Sequence, residues 1–419
     1  MFKASKFNLV ISQNNRKTVL YNTRTGSLIR VPTSVYERLS SPMQQNDQAM
    51  GFLRRGFLVP GDMDESAAFY AQYQRFLDIE AETVSVTAAV TLSCNYRCRY
   101  CFESDVLQPE TSSASPDVLC AFIEKAAGAL THCKAIAVKW FGGEPLLDFD
   151  YILTASERLL RYCQKNGIQL RTRLITNGAL LTDAMIKQLL RFNLVSIQIT
   201  LDGVKETYCT YKSASPQDYD AVLDLIDRQC GNVLFNLRLN CYPANLASLL
   251  ELTDELHSRP HVRDRINLYL APVESSAMET FDPEGYTDAH LRFVEHLYAL
   301  GWHSQVRNAL IAQRSSPCDN LKPEGFIADY AGNLYACESH IGNACARIAS
   351  FGDAMADIQM KKQAQLRAYE QSLTEACKSC AYFPMCFSGC PAHRRPGSGC
   401  AAFQRMVRGI LDINARVSE

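Results

Sequence analysis

The sequence predicts an α/β protein: a partial (β/α)6 TIM-like barrel, with a winged-helix-like domain before it and a cysteine-rich domain after it. Three observations carry this. From about residue 84 to about 301, β-branched runs alternate six times with helical stretches, the pattern of a parallel sheet with crossover helices. The segments richest in glycine, cysteine and polar residues fall at the ends of the predicted strands, where barrels of this kind carry their chemistry. Before residue 318 the alternation stops, cysteines crowd together and turns multiply.

The 419 residues leave room for two or three domains. A hydrophobic content of 47% and a charged content of 21% are those of an ordinary soluble globular protein. A net charge of −1 gives no basic balance for nucleic acid or an acidic membrane surface. There is no apolar run of membrane-spanning length, and the first residues lack a signal-peptide core, so a cytoplasmic protein is expected. In that reducing compartment 17 cysteines point to metal binding or catalysis rather than disulfides. Cys120, Cys133, Cys163, Cys209, Cys230 and Cys241 are scattered on periodic apolar segments and are expected to be small buried hydrophobes.

Residues 1–80 read as a separate unit. Strands are expected at 7–12, 18–22 and 27–31, the first two split by the turn-forming Gln13-Asn14-Asn15. Helices follow at 33–39 and 47–55, then a returning strand at 56–60. Such modules often bind DNA, but this one has no basic stripe. A strand edge beside a helix can instead take up an extended peptide; a structural cap is the plainer alternative. Residues 61–82 are acidic and read as a helical linker.

The barrel is expected over 84–305. A strand at 84–92 runs into a loop with Cys94, Cys98 and Cys101. A helix at 116–130 has Ser115 as N-cap and Pro116 in its first turn. The strand at 135–140 ends in Phe141-Gly142-Gly143-Glu144-Pro145 and leads to a helix at 151–166. The strand at 170–176 ends in Asn177-Gly178, with a helix at 182–192. The strand at 195–201 ends in Asp202-Gly203, with a helix at 218–230. Strands at 233–240 and 266–273 flank a helix at 245–258 capped by Asn245, and a last helix lies near 288–301. Residues 306–419 form the final domain; 318–400 show no large apolar core, so metal is expected to do part of its folding work.

Three thiolates spaced C-x3-C-x2-C are one too few for a closed zinc site and one too few for a fully ligated iron–sulfur cube. A cube held by three cysteines keeps one iron open to a non-protein ligand. A zinc loop completed by a distant His or Cys, or a redox switch, would use the same residues.

This loop after a strand, with Gly-Gly-Glu-Pro one βα unit later, resembles the radical S-adenosylmethionine (radical SAM) enzymes. Cys318, Gly332 and Cys337, then Cys377-x2-Cys380-x5-Cys386-x3-Cys390 and Cys400, resemble their SPASM extension. The likeness covers roughly residues 84 to 405. The first 80 residues resemble the recognition element of ribosomal-peptide (RiPP) maturases, related in form to the peptide chaperone of pyrroloquinoline quinone biosynthesis.

The resemblance implies three 4Fe–4S clusters, one radical SAM and two auxiliary. The first would sit on Cys94, Cys98 and Cys101, its open iron chelated by S-adenosyl-L-methionine, whose cleavage yields a 5′-deoxyadenosyl radical. Around that cofactor it places Tyr100, Gly142, Gly143, Glu144, Thr200 and Ala271. Lys212 stands where many relatives carry an arginine, and Tyr208-Cys209 where a His-Asp pair is common. Asp202-Gly203 reads equally as a structural turn. The outer auxiliary cluster would use Cys377, Cys380, Cys386 and Cys400, and the inner one Cys318, Cys337 and Cys390. Ala312 stands where a fourth inner ligand often lies, so either Cys345 supplies it or that iron is open. Glu338, directly after Cys337, stands where formylglycine-generating relatives have an Asp base.

The function so implied is that of an oxidoreductase acting on a ribosomally made peptide with a leader, installing a crosslink, thioether favoured over carbon–carbon. An electron donor such as flavodoxin or ferredoxin would serve it. The rivals are a sulfatase-maturase-like oxidation of Cys or Ser to formylglycine, and a non-catalytic iron–sulfur carrier or sensor.

Overall fold

Strands whose residues point alternately into a helical layer and away from it make the centre of the chain. The computed structural model describes residues 1–78, 81–106, 115–263, 265–314, 316–391 and 399–417. The strands are β1 (Phe2–Ala4), β2 (Asn8–Gln13), β3 (Lys17–Asn22), β4 (Leu28–Pro32), β5 (Leu58–Pro60), β6 (Thr83–Ala89), β7 (Ala135–Phe141), β8 (Gln169–Thr176), β9 (Leu194–Leu201), β10 (Leu234–Cys241), β11 (Ile266–Pro272), β12 (Gly325–Ala328), β13 (Asn333–Tyr335) and β14 (Arg347–Ser350).

Among the described residues, β6 to β11 are parallel and lie in chain order, the predicted partial barrel. Val86, Val138, Leu174, Ile197 and Leu237 face the helices and are buried with them in one core. The alternate positions (Thr87, Lys139, Arg173, Gln198, Arg238) face the lumen and are polar. Period-two alternation therefore builds a greasy outside and a charged inside.

The sheet does not end at β6. β12 pairs parallel with β6, β13 antiparallel with β12, and β14 antiparallel with β13. The sequence predicts no strand beyond the last βα unit, because strands of three or four residues among turns carry no periodic signal of their own. The helix Lys205–Lys212 also escaped it, as did Met355–Gln371 and Cys400–Val417. The last packs on Pro283–Ala299, with Arg405 joined to Glu284 and Asp288.

At the N-terminus β2, β3 and β4 form an antiparallel sheet, β1 pairs with β5, and helices span Thr33–Leu39 and Asp47–Arg54. This unit is docked on the cysteine-rich tail. Phe7 and, from the helix Glu65–Asp78, Phe69 and Tyr73 cluster with Tyr369, Phe383 and Phe387. Leu9 and Tyr21 pack with Tyr382, Met385 and Leu411. Lys6 Nζ donates to the Ser379 carbonyl at 2.8 Å, and Thr23 Oγ1 to that of Ala381. The segment expected as a linker thus carries core side chains. The tail does own an apolar core, but about a third of its buried side chains come from the other end of the chain.

Two smaller expectations resolve differently. Ser115 caps its helix as expected. Asn245 stands at the N-cap position but makes no cap bond. Its side chain instead accepts from the Tyr242 amide and donates to the carbonyls of Asp202 and Asn240, tying the ends of β9 and β10 together. Cys120, Cys163, Cys230 and Cys241 are buried among apolar side chains, whereas Cys133 and Cys209 are only partly buried.

Candidate active site

The loop carrying Cys94, Cys98 and Cys101 follows β6 and is gripped from two sides. On one side the end of β7 runs alongside it: Gly143 N donates to Thr91 O at 3.0 Å and Glu144 N to Ser93 O at 2.8 Å. Gly142 has φ +125°, and a Cβ there would lie 2.3 Å from Thr91 O; at Gly143 it would lie 2.3 Å from Ser93 O. The two glycines are therefore required by the approach of one backbone to the other. On the other side Arg99 N donates to Tyr211 O at 2.9 Å and Arg97 N to Lys212 O at 3.4 Å. The orphan carbonyls at the end of the helix Lys205–Lys212 are thus met by the residues between the cysteines.

Beneath the loop lies a buried polar set. The Tyr100 hydroxyl donates to Asp202 Oδ2 at 2.7 Å, and Lys212 Nζ is 3.4 Å from the same oxygen. Asp202 is 0% and Lys212 2% exposed. Burial pushes the Asp202 carboxyl up, against the pull of Lys212 and Tyr100. Burial alone would lower the Lys212 ammonium, but Asp202 and Cys98 outweigh it. The expected cofactor residue Lys212 is therefore engaged by Asp202, and the supposed turn residue is an internal carboxylate.

Glu144 is fully buried and fixed. Oε1 accepts from Leu146 N at 3.0 Å and Thr176 Oγ1 at 2.8 Å, and Oε2 from Asn177 N at 2.8 Å. Burial raises its pKa, against those bonds. Thr200 on β9 and Ala271 on β11 lie on the lumen face, at the strand ends nearest the loop.

The residues present fit the implied cofactors. Burial pushes the thiols of Cys94 and Cys101 up to about 11 and about 12, and raises that of Cys98. Only a metal that displaces the protons would make thiolates of them. No three of the described His, Cys, Asp and Glu side chains stand together as a site for one metal ion. At the mouth, Asp202 Oδ1 and the Tyr242 hydroxyl are buried without hydrogen-bond partners among the described residues. A ligand bearing amino and hydroxyl groups, as S-adenosylmethionine does, has the matching donors and acceptors. Glu103, two residues beyond Cys101, is also buried with Oε1 unpartnered, and burial pushes it up to about 7.

Glu338 comes from the far side of the sheet. It follows β13 and Cys337, and its Oε1 accepts from Lys139 Nζ on β7 and from Thr87 Oγ1 on β6 at 3.1 Å. A residue from beyond the six parallel strands thus stands in the barrel lumen. Neither Lys139 nor Thr87 is among the candidate site residues of the sequence. The signal was there for Lys139, one charge in the apolar strand Ala135–Phe141 and so a side chain turned to the lumen.

Cys318 precedes β12 and Cys337 follows β13, so the hairpin carries both towards the same end. Cys337 Sγ lies 3.0 Å from Ser339 Oγ, and Cys377 Sγ 3.3 Å from Ser388 Oγ. Cys386 feels the charges of Cys400 and Cys380, which places these three in one neighbourhood. Cys318, Cys377 and Cys380 border the shared aromatic cluster. Cys345, Cys390 and Cys400 are exposed, and so is Ala312. No helix among the described residues is long and apolar enough to cross a membrane.

Residues 89–232 match the family model of the radical SAM superfamily, so the chain carries a radical SAM domain. An uncharacterized protein of Archaeoglobus fulgidus is 24% identical over 87% of this chain and 93% of its own length. The radical SAM cyclopropyl synthase TigE of Paramaledivibacter caminithermalis is 26% identical over 49% of this chain and 47% of its own. The serine-type anaerobic sulfatase-maturating enzyme of Klebsiella aerogenes is 25% identical over 76% and 83%. Among solved structures, anSMEcpe with bound AdoMet and Cp18Cys peptide superposes with a TM-score of 0.62 at 15% identity, covering 80% of this chain and 99% of that one. Streptococcus suis SuiB bound to precursor peptide SuiA gives 0.53 at 12% identity, covering 96% and 100%. Both likenesses concern the fold.

Proposed function

We propose that the protein is a radical SAM peptide maturase that installs a crosslink in a ribosomally made peptide, a thioether in preference to a carbon–carbon bond. The observation that carries this reading is the position of Glu338. A residue next to one proposed cluster ligand of the C-terminal domain is held inside the lumen whose mouth carries the other three cysteines. A mere electron carrier has no use for a carboxylate held there.

When bound to Cys94, Cys98 and Cys101, a 4Fe–4S cluster with S-adenosylmethionine supplies a 5′-deoxyadenosyl radical that removes a hydrogen atom. This chain does the rest. Tyr100, Glu144, Thr200, Lys212, Ala271 and the backbone of Gly142 and Gly143 shape the mouth. Glu338 accepts the proton lost as the crosslink closes, its Oε1 fixed by Lys139 and Thr87, and the electron left on the peptide would pass to an auxiliary cluster. Two auxiliary clusters, on Cys377, Cys380, Cys386 and Cys400 and on Cys318, Cys337 and Cys390, complete the proposed set of three. The N-terminal unit offers strand edges for the leader. SuiB bound to precursor peptide SuiA and anSMEcpe bound to the Cp18Cys peptide support a peptide substrate.

The second reading, oxidation of Cys or Ser to formylglycine, draws on the sulfatase-maturating relatives and on the same carboxylate. Mass spectrometry of a peptide encoded by a neighbouring short reading frame separates the two. Loss of two hydrogens with the thiol blocked to alkylation is expected, whereas an aldehyde that forms a hydrazone would replace the crosslink reading by the second.

A further inference from the structure

On the lumen side of the sheet a cavity of about 620 Å³ runs from Thr87 and Lys139, the partners of Glu338, to the N-terminal ends of β6, β8 and β9, within the range of roughly 300–1,000 Å³ usual for small-ligand sites. Its walls include Lys139, Arg171, Arg173 and Lys322, with Glu324 as the acid among them. Lys139 on β7 and Arg173 on β8 are partners in register, and so are Ala137 and Arg171. Like charges side by side on neighbouring strands, about 4.8 Å apart, repel unless an anion separates them. Lys139 has its anion in Glu338. The Arg171 guanidinium has only the neutral Gln169 Oε1, at 3.0 and 2.7 Å. Among the described residues the Arg173 guanidinium has neither an ion pair nor a hydrogen bond. With a net charge of −1 for the whole chain, this is a local excess and not a general basicity.

We propose that Arg171 and Arg173 form a subsite for a carboxylate of the peptide substrate, an Asp or Glu side chain or the C-terminus, close to the residue that is modified. This rests on the peptide-maturase reading and narrows its substrate class. The guanidinium fork matches a carboxylate in two hydrogen bonds. Because Arg173 adjoins Lys139, which holds Glu338, the bound carboxylate lies within a residue or two of the position on which Glu338 acts.

The test uses the full-length, cluster-loaded protein and fluorescence anisotropy at about 0.15 M salt, which screens charges beyond about 8 Å. Three fluorescein-labelled heptapeptides are compared: one with two Glu and an amidated C-terminus, its Gln counterpart amidated, and the Gln counterpart with a free C-terminus. The wild type should bind one of the two carboxylate peptides about 10-fold or more tighter than the neutral one. The Glu arm identifies a side chain as the source and the free-terminus arm the chain end. R171E/R173E should lose that preference and favour a two-Lys peptide. Both residues are exposed, so the fold should persist; if iron content falls, R171Q/R173Q takes its place and should bind all three peptides alike. Binding of all three within twofold by the wild type, or an unchanged preference in the variants, overturns the subsite. Release of 5′-deoxyadenosine by the wild type is measured in parallel. Its absence would sink the enzyme reading, whereas release without charge preference sinks the subsite alone.

Discussion

The loop 94–101 hangs between two strand ends and the last turn of a neighbouring helix, all from the same barrel. The cysteine-rich tail rests on aromatic rings from residues 7, 69 and 73, about three hundred positions away. In the loop the cysteines are partly buried and backbone bonds fix the chain on both flanks. In the tail two of the five are exposed and side chains do the fixing. The loop's geometry is thus set by the sheet, whereas the tail's depends on the N-terminal unit staying docked.

The largest expected contrast is chemical. Cys101→Ala should lower 5′-deoxyadenosine release by about 100-fold or more, and remove the iron of one cluster. Cys400→Ala should remove a cluster's iron too, yet leave release in the absence of peptide near wild type. Iron analysis with chromatography of the nucleoside checks both, and equal losses of release would erase the distinction.

Next comes the shared core. Phe7 is 1% exposed, and Phe7→Ala should cost roughly 3–5 kcal/mol. Urea unfolding and limited trypsin digestion should find the loss in the tail, with cuts near Lys378 and the barrel intact. Cleavage confined to the first 80 residues would show that the tail stands by itself.

Glycines give a finer comparison. Gly142→Ala combines left-handed strain with a backbone clash, so a cost of about 2–5 kcal/mol and poorer filling of the loop's cluster are expected. Gly389 in the tail has φ +86° but open space for a Cβ, and Gly389→Ala should cost only about 1–2 kcal/mol. Thermal melts with iron counts check the order.

The smallest effect lies at the seam between barrel and tail. Burial lowers His290, on the helix Pro283–Ala299, from 6.5 to about 4. The unfolded chain then binds the extra proton between those values, so stability is full above pH 6.5 and falls as the pH drops towards 4. A loss of about 1 kcal/mol by pH 5.5 is expected, and His290→Gln should flatten it in urea titrations at the two pH values.

The same contrast explains what the sequence disclosed. The six parallel strands and the cysteine loop rest on local spacing and period-two alternation, and both could be read directly. The expected cofactor residues do gather at the ends of β7, β9 and β11 and beside the loop. The Lys139–Glu338 pair spans 199 positions, and the aromatic core under the tail spans more. No window of sequence contains both halves of either. For Asp202-Gly203 the sequence leaves a site residue and a structural turn equally open, because the burial of the carboxylate depends on Tyr100 and Lys212 closing over it.

The most direct test is the amount of 5′-deoxyadenosine released when the reconstituted protein meets dithionite and S-adenosylmethionine. Release that disappears in the Cys94→Ala, Cys98→Ala and Cys101→Ala variants is the predicted result. No release from wild-type protein with its clusters intact would contradict the account and leave an iron–sulfur carrier.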